Sequence, residues 1–199
     1  CPGVLAIATA ADLARDGISP IPSLYSPLLP PGAPFNLAPQ PILAGDVVRF
    51  VGDPVAFIVA ETLAEAEEAA DSIAIDYEPI AAVTETTAAQ HPNSPRLHDA
   101  APGNLSYRFE AGDAAATDAA FALASRIVSL TATNNRIIIN AMEPRAALGH
   151  FDRSTDRFTL YTNSQVPHRF KTLLAEHLFH LPADRFRIVV GDVGGGFGA

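Results

Sequence analysis

The sequence predicts an α+β protein made of two units. Short runs rich in β-branched and aromatic residues alternate with alanine-rich segments of helical periodicity through the 199 residues, which is typical of mixed helix and strand content. A polar stretch with proline and glycine, residues 84–106, interrupts this pattern, and the alternation restarts after it. We therefore predict a first unit at residues 1–83, a linker at residues 84–106 and a second unit at residues 107–199.

The composition limits the classes of function. The chain is 48% hydrophobic and 18% charged, so it can bury a core, and its net charge of -9 disfavours binding to nucleic-acid backbones or anionic membranes. No apolar run approaches the roughly 20 residues of a membrane-spanning helix. The single cysteine, Cys1, excludes a disulfide framework, a zinc–cysteine cluster and a cysteine-held iron–sulfur cluster within these residues.

The first unit begins with a predicted strand, the apolar run from Val4 to Ala8, followed by a helical segment, "AADLA". Residues 18–42 are rich in proline, which fixes φ and lacks an amide donor. That stretch is therefore predicted to be irregular surface chain that packs along a partner surface. Two strands are predicted at residues 47–51 and 55–60, on either side of a Gly-Asp-Pro turn.

A helix is predicted next, in "ETLAEAEEAADSI". Leu63, Ala66, Ala70 and Ile73 share one face at a period of 3.6 residues, so that face is predicted to be buried, with the glutamates pointing outward. The alternating sequence "IAIDYEP", residues 73–79, predicts a third strand that ends at its proline.

The second unit restarts with "YRFEAGD" and a predicted helix. Asp113 or Thr117 is the predicted N-cap, because a short polar side chain can accept from the first free amides of a helix. Phe121 and Leu123 are the predicted apolar anchors of this helix.

The rest of the second unit is predicted to contain strands, one long helix and a final strand. Strands are predicted at residues 127–133 and 137–139, and "RSTD" is predicted to turn the chain into the strand "RFTLYTN". The segment "VPHRFKTLLAEHLFH" predicts a helix with Pro167 in its first turn. Its predicted apolar face consists of Phe170, Leu173, Leu174 and Leu178. A last strand ends in "RIVV", just before a run of glycines.

Two motifs near the end of the sequence are candidates for ligand binding. The loop "VGGGFG" permits positive φ and a close approach of its backbone to a ligand, whose oxygen-rich or anionic groups its N–H groups could bind. It matches neither a Walker loop nor the GxGxxG pattern, and a flexible loop is the alternative. Gln165, before a helix, offers both a donor and an acceptor, and a capping or solvent-facing role is the alternative.

Three further side chains have types that can carry chemistry. Glu143 in "MEPR" is a candidate general base, although a structural pair within Glu-Pro-Arg is the favoured interpretation. His177 and His180 stand three apart on a helix, a spacing that suits one edge of a metal site. Neither a carboxylate nor a third histidine of matching spacing lies nearby, so we predict no metal site there.

The order of these motifs is more specific than any one of them. "GDPVAFIVAET", "DYEP", "MEPR", "SQVPH" and "GGGFG" follow one another across nearly the whole chain. In this order they resemble the molybdenum-cofactor (large) subunit of the xanthine dehydrogenase and aldehyde oxidase family, and especially large subunits like those of aerobic carbon monoxide dehydrogenase. The resemblance implies an α/β-hammerhead domain at residues 1–83, lacking a first strand expected before Cys1. It also implies the truncated N-terminal part of the molybdenum-cofactor-binding domain at residues 107–199, and therefore a fragment of a longer protein.

The resemblance also implies roles for individual residues. The amide of Gln165 would hydrogen-bond an oxo ligand of molybdenum, since a neutral amide does not compete as a metal ligand. The expected catalytic residues are Gln165 and Phe197, and the side chain of Phe197 would line the substrate pocket. The expected cofactor-binding residues are Gln165, Gly195, Gly196, Phe197 and Gly198. No residue of this chain is expected to ligate the metal.

The activity implied by the resemblance is oxidation of an aldehyde, an N-heterocycle or carbon monoxide, with oxygen derived from water. The implied cofactor is molybdenum–molybdopterin in its cytosine dinucleotide form. The implied partners are a small iron–sulfur subunit with two [2Fe-2S] clusters and a medium subunit with FAD, in a dimer of heterotrimers. The expected location is the cytoplasm, with no nucleic-acid partner and no membrane span.

Two features of the family are missing from this sequence. No residue matches the base glutamate, which is expected beyond Ala199, and the substrate-loop cysteine is absent, so carbon monoxide chemistry is not assigned. This stretch alone is expected to bind cofactor poorly and not to turn over. A non-catalytic homologue or binding module that keeps the fold is the alternative. A different nucleotide-binding enzyme would leave Gln165 and the hammerhead pattern unexplained.

Overall fold

The computed structural model describes residues 1–22, 35–36, 38, 40–135 and 137–198. Its helices and strands are, in chain order, β1 (Val4–Ala8), α1 (Ala10–Arg15), β2 (Phe57–Ala60), α2 (Leu63–Asp71), α3 (Ala114–Leu123), β3 (Ala147–Asp152), β4 (Arg157–Thr162), α4 (Pro167–Thr172), a π-helical turn (Leu173–Leu178) and β5 (Phe186–Val189). In this part of the chain, no helix has both the length and the apolar character needed to cross a bilayer.

The first sheet has two strands, β1 and β2, which pair in antiparallel fashion. Ile7 lies opposite Ile58 and Ala8 opposite Phe57, with an irregularity near the start of β1. The predicted strand at 4–8 and the helix after it are confirmed, and the strand predicted at 55–60 is confirmed from residue 57 onward. Each of the two strands leads directly into a helix, which places α1 and α2 beside this sheet.

Local capping explains where three of the helices begin. At α2, the amide of Glu65 donates to Thr62 Oγ1 over 3.3 Å, and the amide of Thr62 donates back to Glu65 Oε2 over 3.0 Å. At α1, the amide of Thr9 donates to the side chain of Asp12 over 2.8 Å. At α3, Asp113 accepts from the amide of Ala116, which confirms Asp113 as the N-cap.

The second sheet has the strand order β3-β4-β5, and its last pair is parallel. β3 turns into β4 at residues 153–156, where Asp152 accepts hydrogen bonds from Ser154 and Thr155; these bonds lower the pKa of Asp152 to about 2. The chain crosses from β4 to β5 through α4 and the π-helical turn. Parallel strands end at the same edge of a sheet, so the segments after β4 and β5 are brought together.

The core of this sheet is a cluster of aromatic rings. Phe158 and Phe186, opposite each other in the β4–β5 register, stack with their ring centroids 5.2 Å apart. Phe179, just after the π-helical turn, has its centroid 5.8 Å from that of Phe186. The guanidinium of Arg185 lies 5.4 Å from the Phe158 centroid and pairs with Asp156. Phe186 is 5% exposed, which makes it the largest buried side chain of the described residues.

Four of the predicted strands do not form. Residues 47–51, 73–79, 127–133 and 137–139 carry strand-like patterns but take no part in a sheet among the described residues. A strand is completed by the hydrogen bonds of a neighbour, which periodicity does not supply. At 47–51, the amide of Arg49 instead donates to the side chain of Asp53, closing a local turn.

The predicted apolar helix faces are partly wrong. In α2, which contacts the β1–β2 sheet, Ala69 is buried whereas Leu63 is 74% exposed. In α3, Phe121 and Leu123 are exposed, since no other described element packs closely against this helix. In the helix after β4, Pro167 occupies the first turn and Leu178 is buried, as predicted.

The chain exposes a large area for its mass. Its solvent-accessible area is 15990 Å², compared with about 9,000 Å² for a compact monomer of this mass. Of the proline-rich stretch at 18–42, residues 23–34, 37 and 39 lie outside the described residues, so its predicted packing on a partner surface stays a prediction. At the end of that stretch, Leu43 and Ala44 are buried.

Candidate functional site

The two sequence motifs meet at the edge of the second sheet where β4 and β5 end. Gln165 follows β4 and precedes α4, and its side chain is exposed. The glycine loop at residues 193–198 follows β5. Because Tyr161 and Val189 are paired in the parallel register, both segments leave the sheet side by side. The arrangement of two polar loops at the carboxyl ends of parallel strands is one that open sheets use for ligands.

The carboxamide of Gln165 lies directly against the backbone of Gly196. A Cβ added to Gly196 would lie 3.1 Å from Gln165 Oε1 and 3.4 Å from Nε2. Any larger residue at position 196 would therefore push the carboxamide away. The structure thus brings together the two residues that the sequence singled out from separate motifs.

Phe197 folds back over the loop that carries it. Gly195 has a φ of +116°, and an added Cβ would lie 2.9 Å from the ring of Phe197. Phe197 itself has a φ of +49°, a region that bulky residues rarely occupy, and it is 67% exposed. Strained backbone of this kind is concentrated at functional sites. Gly198, with a φ of +79°, faces open space.

Replacing Gly195 with alanine is expected to destabilise the loop locally by about 1–3 kcal/mol, because a side chain there is both strained in φ and in collision with Phe197. Hydrogen exchange of the amides at 191–198 in the complete protein measures this local free energy of opening. Gly191→Ala is the matched control, since its Cβ would meet nothing within 4 Å. Equal exchange in the two variants would contradict the expectation.

Glu143 contacts the same loop at Gly194. Its Oε2 accepts a hydrogen bond from the amide of Gly194 over 2.5 Å, across 51 residues of sequence. The sequence favoured a structural pair of Glu143 with the arginine of Glu-Pro-Arg, and this choice of partner is wrong. Among the described contacts, the carboxylate meets Gly194 and not Arg145, because the chain folds the glycine loop back onto residue 143.

Asn163 ties the segment after Glu143 to the end of β4. Its Nδ2 donates to the carbonyl of Pro144 over 3.0 Å, and its Oδ1 accepts from the amide of Ala146 over 3.3 Å. Thr162 adds a hydrogen bond to the carbonyl of Ala146. Neither Asn163 nor Gly194 was assigned a role from the sequence. The sequence signal for Asn163 was its position, directly after a predicted strand and two residues before Gln165.

The histidine pair lies away from this site and has other partners. The Nδ1 of His180 is 3.1 Å from the carbonyl of Glu176, and its Nε2 is 2.8 Å from Ser19 Oγ. His177 is exposed. Within the described residues, no group of three or more histidine, cysteine or acidic side chains is placed to hold a metal ion.

The fold and site together define a class: a small hammerhead-type unit followed by a cofactor-binding unit with a glutamine and a glycine loop at one sheet edge. Comparisons with known proteins agree with this class. The family model for the "Aldehyde oxidase and xanthine dehydrogenase, a/b hammerhead domain" matches residues 1–81, and that for the "Molybdopterin cofactor-binding domain" matches residues 97–199. The chain belongs to the xanthine dehydrogenase and aldehyde oxidase family of molybdopterin-binding proteins, and the predicted fold class is confirmed.

The relatives and solved structures match between 80% and 99% of this chain. It is 29% identical to the carbon monoxide dehydrogenase large chain of Afipia carboxidovorans, over 99% of this chain and 24% of that protein. It is 34% identical to the nicotine 6-hydroxylase large subunit of Paenarthrobacter nicotinovorans, over 80% of this chain and 19% of that protein. The chain thus spans a quarter or less of these relatives.

The solved structures give the same result. A crystal structure of the Cu,Mo-CO dehydrogenase in its carbon monoxide reduced state matches with a TM-score of 0.85 and 29% identity, over 99% of this chain and 25% of that one. The structure of quinoline 2-oxidoreductase from Pseudomonas putida 86 matches with a TM-score of 0.80 and 31% identity, over 98% of this chain and 24% of that one.

The residues of the site fit a large, oxygen-rich cofactor. The backbone at Gly195 and Gly196 is bare, and among the described residues their amides have no hydrogen-bond partner. The exposed carboxamide of Gln165 supplies a further neutral donor beside them. A cleft of about 570 Å³ lies at the same sheet edge, lined by Glu143, Asn163 and Asp192 among others but not by Gln165 or the glycines at 195 and 196. Bare backbone, neutral donors and space are what such a group requires.

Proposed function

We propose that this chain forms part of a molybdenum hydroxylase that oxidises a small substrate, namely an aldehyde, an N-heterocycle or carbon monoxide, with oxygen derived from water. The observation that carries the proposal is the contact of the Gln165 carboxamide with the bare backbone of Gly196. The names of the relatives, a carbon monoxide dehydrogenase and a nicotine 6-hydroxylase, support the reaction class.

Each residue of the site has a role in this proposal. The bound molybdenum cofactor supplies a two-electron redox centre. Gln165 holds it by a hydrogen bond from its carboxamide, which is neutral and remains a donor at any physiological pH. The backbone of Gly195, Gly196 and Gly198 approaches it closely, as a side chain would not allow. Phe197, largely exposed on the loop, lines the substrate pocket and excludes water from it.

Further components of the enzyme follow from the same proposal. The cofactor is molybdenum–molybdopterin in the cytosine dinucleotide form. In the complete enzyme, [2Fe-2S] clusters and FAD on a small and a medium subunit would take up the electrons, in a dimer of heterotrimers; the single cysteine of this chain cannot itself hold such a cluster. Relatives described as large chains or large subunits support the existence of such partners. The cytoplasm, where a large cofactor is inserted into folded protein, is the proposed location.

The test is the molybdenum content of the complete protein, purified with its partners from the native host. Elemental mass spectrometry is expected to give close to one molybdenum per chain, and acid hydrolysis is expected to release CMP. Absence of molybdenum, with cofactor insertion shown to be intact in that host, would replace the proposal with a non-catalytic homologue or binding module. Release of a different nucleotide would revise only the form of the cofactor.

A further inference from the structure

The strongest feature without a role in the proposed function is the contact between Glu143 and the glycine loop. The carboxylate accepts from the amide of Gly194, and a Cβ at Gly194 would lie 2.8 Å from the Cβ of Glu143. The side chain is half-buried, so it is held against the loop rather than extended into solvent. Gly194 directly precedes Gly195 and Gly196, whose backbone contacts Phe197 and Gln165. Glu143 thus contacts the loop where the run of glycines begins.

The segment that carries Glu143 is also fixed to the end of β4. Both hydrogen bonds of the Asn163 side chain go to this segment, at Pro144 and Ala146, and Asn163 stands two residues before Gln165. Residues 143–146 therefore bridge the two halves of the site, with one hydrogen bond to the glycine loop and several to the segment before Gln165. Displacing Glu143 would free the loop while leaving Gln165 in place.

A general-base role for Glu143 is disfavoured by this geometry. Oε2 of Glu143 accepts a hydrogen bond from the amide of Gly194, and that amide has no other acceptor among the described residues. The Gly194 amide lies on exposed backbone, and the acceptor that holds it does not need a negative charge, because a carboxamide oxygen also accepts a hydrogen bond. The two roles therefore differ in what a glutamine at position 143 would do.

We propose that Glu143 is a positioning residue that holds the glycine loop against Gln165 through the Gly194 amide. The inference rests on the proposed function for its effect on the reaction, but the contact itself does not depend on a bound cofactor. Partners that orient the groups around a metal centre change activity or metal affinity by about 10–100-fold when they are removed. An effect of this size is expected when the acceptor at position 143 is lost.

The experiment compares Glu143→Gln with Glu143→Met in the complete enzyme. The two side chains have similar length and volume, and only glutamine keeps an oxygen acceptor. Glu143→Gln is expected to keep kcat and molybdenum content within about threefold of the parent, and Glu143→Met is expected to lose about 10–100-fold in kcat or in bound metal. Glu67→Met is the matched control, because Glu67 is exposed on α2.

A second readout is independent of the metal. In enzyme prepared without molybdenum, hydrogen exchange of the peptide covering residues 191–198 is expected to accelerate in Glu143→Met and to stay at the parent rate in Glu143→Gln and Glu67→Met. This measurement also distinguishes the inference from the proposed function. If the parent protein binds no molybdenum, the proposed function fails, and the exchange rates still decide whether Glu143 holds the loop.

Two results would overturn the inference. Loss of kcat in Glu143→Gln as deep as in Glu143→Met, with unchanged exchange in the loop, would assign Glu143 a role that requires its charge or basicity. Parent-like exchange and kcat in Glu143→Met would show that the contact does not position the loop. Since methionine preserves the packed volume, a general failure to fold is not expected, and the exchange of β4 and β5 amides in the same experiment verifies this.

Discussion

Replacing Gln165 with alanine in the complete enzyme is expected to lower kcat by about 100-fold. Under the proposed function, the carboxamide of Gln165 is a preorganised hydrogen-bond donor beside the redox centre, and removing one such donor typically costs 10²–10³ in rate. The donor is exposed and lies on the bare backbone of Gly196, so alanine removes it without filling or emptying a core. Steady-state kinetics, normalised to molybdenum content, measures the effect.

The control and the molybdenum content decide how the Gln165 result is interpreted. Gln90→Ala removes the same side chain at an exposed turn that has no recorded contact with the described residues of the site, and it is expected to leave kcat unchanged. A fall in kcat with full molybdenum content assigns Gln165 to the reaction itself, whereas a parallel fall in both assigns it to holding the cofactor. An unchanged kcat per molybdenum, with full metal content, would contradict both roles.

Replacing Phe186 with alanine is expected to destabilise the second sheet by about 3–5 kcal/mol. Removal of a buried phenylalanine loses transfer free energy and leaves a cavity. The ring is 5% exposed and lies within the aromatic cluster with Phe158 and Phe179, so its neighbours cannot easily fill the space. Because Phe186 starts β5, the loss should weaken the β4–β5 pairing that holds the site together.

Native-state hydrogen exchange of β4 and β5 amides in the complete protein measures this loss as a change in the local free energy of opening. Phe186→Leu is the graded control, because leucine refills most of the volume and is expected to cost less than alanine. If the alanine variant exchanged at the parent rate in both strands, the aromatic cluster would not be the source of their stability.

The sequence predicted the elements whose signals are local. The Asp113 cap, Pro167 in the first turn of α4 and the strand β4 were all predictable, because each depends on neighbouring residues. The strands predicted at 127–133 and 137–139 are absent, since an apolar alternating run becomes a strand only beside a partner. Sheet formation is a non-local event, and single-sequence patterns do not contain it.

The sequence predicted some groups of the candidate site but not all of its contacts. Gln165 and the glycine loop were identified by motif order and by a family resemblance, and the parallel pairing of β4 and β5 places them together. The contact of Glu143 with Gly194 was missed because its partners are separated by 51 residues, a distance over which no periodicity extends. The sequence therefore indicated the groups at the site but not the side chain that holds them in place.

The parallel register of β4 and β5 also sets where this protein can change in length. Tyr161 and Val189 are paired opposite each other in the sheet. The number of residues from Tyr161 to Gln165 and from Val189 to Gly196 therefore determines how far the carboxamide and the glycine loop extend beyond the sheet edge. One residue inserted into either of these two spacers would move Gln165 or Gly196 by about 3.3 Å and separate the carboxamide from the loop. Insertions in the β3–β4 turn, residues 153–156, leave both spacers unaltered. Length variation among homologues should accordingly be concentrated in that turn and excluded from the two spacers.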